Sequence, residues 1–106
     1  MKQDREGRLH FPCLTSEAGR YLMAQMKPVG IGIDSPGIDL GADHTYPLHH
    51  MTLDNDTYLL ENVGHLETLP ATGVILIVSP MKLTRGSGSP VRILALFSTA
   101  EASPSK

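Results

Sequence analysis

Apolar positions along this chain change their spacing from segment to segment, and each change marks an expected element. Ala18, Tyr21, Leu22 and Met26 recur at steps of three and four, which predicts an amphipathic helix over 15–26. The hydroxyls of Thr15 and Ser16 can cap its first free N–H groups, Glu17 suits the positive end of the helix dipole, and Pro28 stops it. Val29–Ile33 is a short apolar run suited to a central strand, and the following Asp34-Ser35-Pro36-Gly37 is a turn by composition. His49–Leu53 reads as a short helix, Tyr58–Val63 as a strand around Glu61, and Leu66–Leu69 as a turn or short helical segment before Pro70. Gly73–Ser79, GVILIVS, carries the strongest strand signal, and its unbroken apolar character predicts burial on both faces. Arg85–Pro90, RGSGSP, is a glycine-rich loop, and Val91–Phe97 is a last strand.

The sum is a mixed α/β pattern with few helices: four strands expected in one sheet, with one clear helix against it. That is thin cover for a strand buried on both faces. At 106 residues the chain is one small domain at most. It therefore reads as part of a larger unit, or as one half of a tight homo-oligomer. Residues 1–9 are polar and expected to be loose. The tail 98–106, STAEASPSK, is small and polar and expected to be disordered. The ordered segment is 10–97.

Charge and cysteine usage narrow the function classes. The formal net charge is -2 and the pI about 6.2. Lys82, Arg85 and Arg92 are too spread to form the basic face that a nucleic-acid partner needs. No apolar run is long enough for a membrane span, and MKQDREGRLH has no apolar core of a signal peptide. The single Cys13 forms no internal disulfide and suits a reducing compartment, so a cytoplasmic location is expected. With no basic neighbour except His10, it reads as a packed thiol rather than a nucleophile.

The candidate chemistry lies between Val29 and Asn62. Imidazole and carboxylate together are what a divalent cation of a hydrolytic site takes. His49 and Glu61 stand twelve residues apart, which suits two adjacent elements whose ends converge rather than one helix face. An exposed histidine and a strand-edge glutamate are the plain alternative. Glu61 follows Tyr58-Leu59-Leu60, where an unpaired carboxylate would be costly to bury. His50 adjoins His49, and composition does not say which ring points inward. Asp34 directly follows a buried-type strand, where side chains often line a crevice. For Asp34 and Asp39 alike, turn capping is the favoured reading. The Gly86-Ser87-Gly88 loop lacks the lysine–hydroxyl ending of a phosphate loop.

Five segments in order, FPCLTSEAGRYL, VGIGIDSPGID, LHHMTL, LLENVGHLETLP and SPMKLTRGSGSPVRILAL, cover most of 10–97. Together they resemble the C-terminal half of the cyclase family of metal-dependent hydrolases, the kynurenine formamidase and isatin hydrolase-like group. The resemblance implies a swivelling β/β/α domain and an arylformamidase-like hydrolysis of a C–N bond in a small amide or lactam, with a place in kynurenine and tryptophan catabolism. It also implies a zinc or manganese ion that activates water. By that pattern His49 and Glu61 fall on downstream metal-site positions and are the catalytic candidates, with Asp34 and His50 as possible site-lining residues. The family's His-x-Gly-Thr-His-x-Asp run is absent from this sequence. Gly37 stands where the family usually has Ser, and Cys13 where it usually has Gly. The expectation is thus a truncated form with an incomplete half-site, inactive alone. The alternatives are a non-catalytic module that binds full-length relatives and an enzyme reassembled from two chains.

Overall fold

A computed structural model describes residues 2–98 of the protein. The chain divides into two compact units, 1–66 and 67–106; the tail 99–106, and with it nearly all of the segment expected to be disordered, lies outside the described residues.

The first unit opens with strands β1 (Lys2–Gln3) and β2 (Leu9–His10), paired antiparallel. Residues 2–10 thus carry a short hairpin. Its turn is organised by Asp4, whose carboxylate accepts the backbone N–H of Glu6 and of Arg8 and ion-pairs with the Arg8 guanidinium. Gly7 takes the left-handed conformation that this tight turn requires, at φ +78.

Helix α1 (Ser16–Tyr21) starts where expected. The Thr15 hydroxyl accepts the Ala18 N–H, and Glu17 sits in the first turn. It runs on as one π-helical stretch, Leu22–Met26, and ends on left-handed Lys27 just before Pro28. Strand β3 (Gly30–Gly32) follows, then a long bend, helix α2 (Pro47–Leu53) and strand β4 (Tyr58–Leu60). β3 and β4 pair in parallel, Gly30 opposite Tyr58 and Gly32 opposite Leu60. A parallel pair needs a crossover, and α2 lies within it. The ladder continues past the strand ends, with Asn62 N–H donating to the Ser35 carbonyl and Val63 N–H to that of Ile33.

The core of this unit is small. Ile38 and Leu48 are each 1% exposed, and Thr52 and Thr57 are buried with them. Both threonines satisfy their hydroxyls on backbone carbonyls, Thr52 on Leu48 and Thr57 on Pro28, so neither leaves a costly unpaired group. Gly19 lets α1 approach α2: a Cβ there would collide with Leu48 Cδ2.

The second unit is a ribbon of β5 (Ile75–Pro80) and β6 (Val91–Leu96), antiparallel, with Ile75 opposite Leu96 and Pro80 opposite Val91. A short 3₁₀ turn, Leu66–Thr68, spans the boundary between the units. Two sequence expectations fail here. The four strands do not share one sheet; they form separate two-stranded ladders, β3 with β4 and β5 with β6. The GVILIVS run is not buried on both faces: Ile75, Leu76 and Ile77 are exposed. The apolar pattern registers a demand for cover, which the pairing of β5 with β6 does not by itself supply.

Candidate functional site

The site is assembled at the carboxyl ends of the parallel strands, where side chains of open α/β sheets converge. Beyond β3 the chain turns through Ser35, Pro36 and Gly37. The Ser35 hydroxyl donates to the Gly37 carbonyl at 3.0 Å and holds the turn. The segment then runs inward through buried Ile38, whose carbonyl accepts the Leu14 N–H, and places Asp39 next to the start of α2. Gly41 is required there: a Cβ would lie 2.5 Å from the Leu9 carbonyl oxygen and 2.7 Å from Phe11 Cε1.

Asp39 is 4% exposed. Its Oδ1 accepts the Leu48 N–H at 2.8 Å and its Oδ2 the His49 N–H at 3.0 Å. These are orphan donors in the first turn of α2, so Asp39 caps the helix from a loop rather than from the N-cap position. The N-cap residue itself, Tyr46, makes no side-chain cap bond and takes a left-handed φ of 47. Pro47 then supplies the preset φ favoured at the first helical position.

The same Asp39 Oδ2 lies 2.7 Å from His49 Nδ1, and on the far side of the ring His49 Nε2 lies 3.2 Å from Glu61 Oε1. The Tyr46 ring meets the imidazole edge to face, at 5.7 Å between centroids. His49 is half-buried and Glu61 sits at the surface, just past the end of β4 and before left-handed Asn62. The result is an imidazole held between two carboxylates, one buried and one facing solvent.

His49 and Glu61 are therefore brought together, while His50 and Asp34 point to solvent and bond to neither. Asp39 is the residue that sequence reasoning misplaced. Its loop context suggests a turn cap, yet its bonds reach nine and ten residues ahead to Leu48 and His49. The one signal in the sequence was an acidic residue within a short loop upstream of a helix that lacks a capping side chain of its own.

No family model matches the chain. It is 38% identical to isatin hydrolase from Roseibium aggregatum over 95 residues, 86% of this chain and 36% of that protein. It is 38% identical to kynurenine formamidase from Polaromonas naphthalenivorans over 73 residues, 69% of this chain and 32% of that protein. Against the kynurenine formamidase of Bordetella avium it is 40% identical over 62 residues, 58% and 29% of the two chains. Over the matched stretch the chain is thus similar to isatin hydrolase and to kynurenine formamidase, proteins of the cyclase family, at 35–40% identity. The chain spans about a third of the length of the curated relatives it matches.

The cyclase family implies a metal ion, and the donors here can be tested against one. Among the described residues no group of three or more His, Cys, Asp or Glu side chains is arranged to hold a metal. His49 Nε2 and Glu61 Oε1 are donors of the right chemistry. Asp39 at Nδ1 is the kind of outer partner that ligating histidines have. Yet catalytic zinc sites use three protein ligands, and two do not make one. The residues present do not fit the ion by themselves. No helix among the described residues is long and apolar enough to cross a membrane.

Proposed function

We propose that this chain is part of an amide C–N hydrolase of the cyclase family, arylformamidase- or isatin hydrolase-like, acting on a small amide or lactam. Its own contribution is an acid–base element, Asp39–His49–Glu61. The observation that carries this reading is the His49 ring, set between carboxylates at 2.7 and 3.2 Å within a stretch similar to isatin hydrolase.

Amide hydrolysis needs a proton taken from water and a proton delivered to the departing nitrogen. A surface-facing Nε2 beside a carboxylate can do both in turn: His49 holds the proton, Glu61 receives it or returns it, and buried Asp39 keeps the ring aimed. Positioned groups of this kind contribute about 10²- to 10⁴-fold to rate. The rest of the catalytic constellation, and any metal ligands beyond His49 and Glu61, would come from polypeptide outside these residues, so this chain alone is inactive. The placement is cytoplasmic, in keeping with a lone free cysteine.

A second reading, a non-catalytic module that binds full-length relatives or a second copy of itself, is favoured by the exposed apolar ribbon of the second unit. Assay separates the two. Purified chain supplied with zinc or manganese is expected to show no hydrolysis of an aryl formamide or of isatin above that of Glu61→Gln. Turnover by the chain alone that Glu61→Gln abolishes would instead mean that two copies complete the site between them.

A further inference from the structure

We infer that Tyr46 is a positioning residue: its ring holds the His49 imidazole in the orientation that spans Asp39 and Glu61. Those carboxylates reach the two ring nitrogens at 2.7 and 3.2 Å. Contacts at ring nitrogens act in the plane of the ring, and the Glu61 side chain is 34% exposed, so at that end only a surface group opposes turning about the Cβ–Cγ bond. The Tyr46 ring stands at 80° to the imidazole with 5.7 Å between centroids. Turning the imidazole would drive it against that ring, so packing restrains what the carboxylates leave free.

The backbone is that of a residue kept for its ring. Tyr46 is 49% exposed, so the ring does not fill the core. It takes φ 47 and ψ 51, a left-handed conformation that glycine and asparagine accept and a bulky residue disfavours. It also directly precedes Pro47, which pushes the residue before it toward extended backbone. Its side chain caps nothing in α2, since Asp39 takes the Leu48 and His49 N–H groups. The conformation is imposed from both sides. Asp43 Oδ1 accepts the Thr45 N–H at 2.9 Å and the Thr45 hydroxyl at 2.6 Å, and the Tyr46 carbonyl accepts the His50 N–H at 3.0 Å. Backbone strain fixed by its surroundings clusters at functional sites, and here it places a ring against His49.

Misplacing a reacting group by about 1 Å can cost about 10²-fold in rate. That benefit rests on the hydrolase reading. The order of the imidazole does not, so the two fail separately.

The test is ¹³C relaxation of the His49 ring in the full chain, with amide exchange of Leu48 and His49 alongside, for wild type, Tyr46→Phe and Tyr46→Asn. Phe keeps the ring without its hydroxyl; Asn suits the left-handed backbone without the ring. The expected order parameter is about 0.85 in wild type and Tyr46→Phe and below about 0.6 in Tyr46→Asn. The α2 amides are expected to keep their protection throughout, because Asp39 still caps the helix. A mobile His49 ring in the wild type overturns the inference, as does a ring that stays ordered in Tyr46→Asn or loses order in Tyr46→Phe. Loss of amide protection together with ring order also overturns it, because Tyr46 would then hold the helix start rather than the imidazole. Should Tyr46→Asn fail to fold, Tyr46→Gly is read by the same criteria, and failure of both to fold overturns the inference for the same reason.

Discussion

Leu48 and Ile75 are both large aliphatic residues on regular elements, yet Leu48 is 1% exposed and Ile75 66%. The difference lies in connectivity. Around Leu48 the chain supplies its own cover, because the crossover between two parallel strands returns α2 over the Gly19 face of α1. Around Ile75 it supplies only a partner strand, and a two-stranded ribbon leaves its side chains open. Leu76, Ile77, Leu94, Leu96 and Phe97 share that exposure. The polar site falls wholly in the first unit, which has a small buried core around Ile38 and Leu48 yet also leaves Met26 and Val29 exposed; the second unit buries none of its described residues.

The contrast is most easily broken at Leu48. Leu48→Ala is expected to destabilise the first unit by about 2–5 kcal/mol through lost burial and a cavity, whereas Ile75→Ala should leave the monomer within about 0.5 kcal/mol. Denaturant unfolding followed on amides of α2 and of the ribbon checks both. Equal costs at the two positions would mean that the ribbon is covered in solution.

Smaller, and confined to the first unit, is the effect of adding a methyl where the backbone leaves no room. Gly41→Ala meets a carbonyl oxygen and the Phe11 ring. Overpacking of this sort costs about 1–3 kcal/mol, seen as a lowered Tm. Gly37→Ala is the matched control: its Cβ would lie 3.6 Å from both Glu61 Oε1 and Phe11 Cζ, an ordinary contact. A Tm change as large as that of Gly41→Ala would contradict the loop geometry.

The smallest effect is the acid response of the hairpin. Hydrogen bonding from the Arg8 side chain, then from its backbone, holds the Asp4 carboxyl well below the usual range, against a minor opposing desolvation. A folded value below the unfolded one gives stability that is fully present above the ordinary carboxylate value of about 3.9 and lost as pH falls through the folded value. The Asp4 carboxyl ¹³C shift should thus titrate well below a free aspartate, with hairpin amides moving alongside. A midpoint near the ordinary value would remove Asp4 as the organiser of the turn.

These contrasts also explain what was legible in the sequence. The helix at Thr15, with its hydroxyl cap, and the strands within 73–79 and 91–97 follow from local pattern and local capping, which neighbouring residues determine. Sheet membership was not legible. An apolar run states that a strand wants burial and says nothing of which strand it joins, so the expected single sheet resolved into separate ladders. At the site, imidazole and carboxylate chemistry singled out His49 and Glu61, and a resemblance, rather than their spacing, gave them a common purpose. Asp39 stayed hidden because its function depends on a long-range bond to a helix start. An aspartate in a Gly- and Pro-containing loop has a sufficient local explanation without it.

The most direct test of a partial hydrolase site is a graft. Residues 10–97 replace the matched stretch of the Roseibium aggregatum isatin hydrolase, and ring opening of isatin is measured on the folded chimera. The expected result is turnover by the chimera, none by this chain alone, and a loss of about 10²-fold or more on Glu61→Gln or His49→Ala in the graft. A folded chimera without activity, or one indifferent to Glu61→Gln, would contradict the assignment of this site to the hydrolysis.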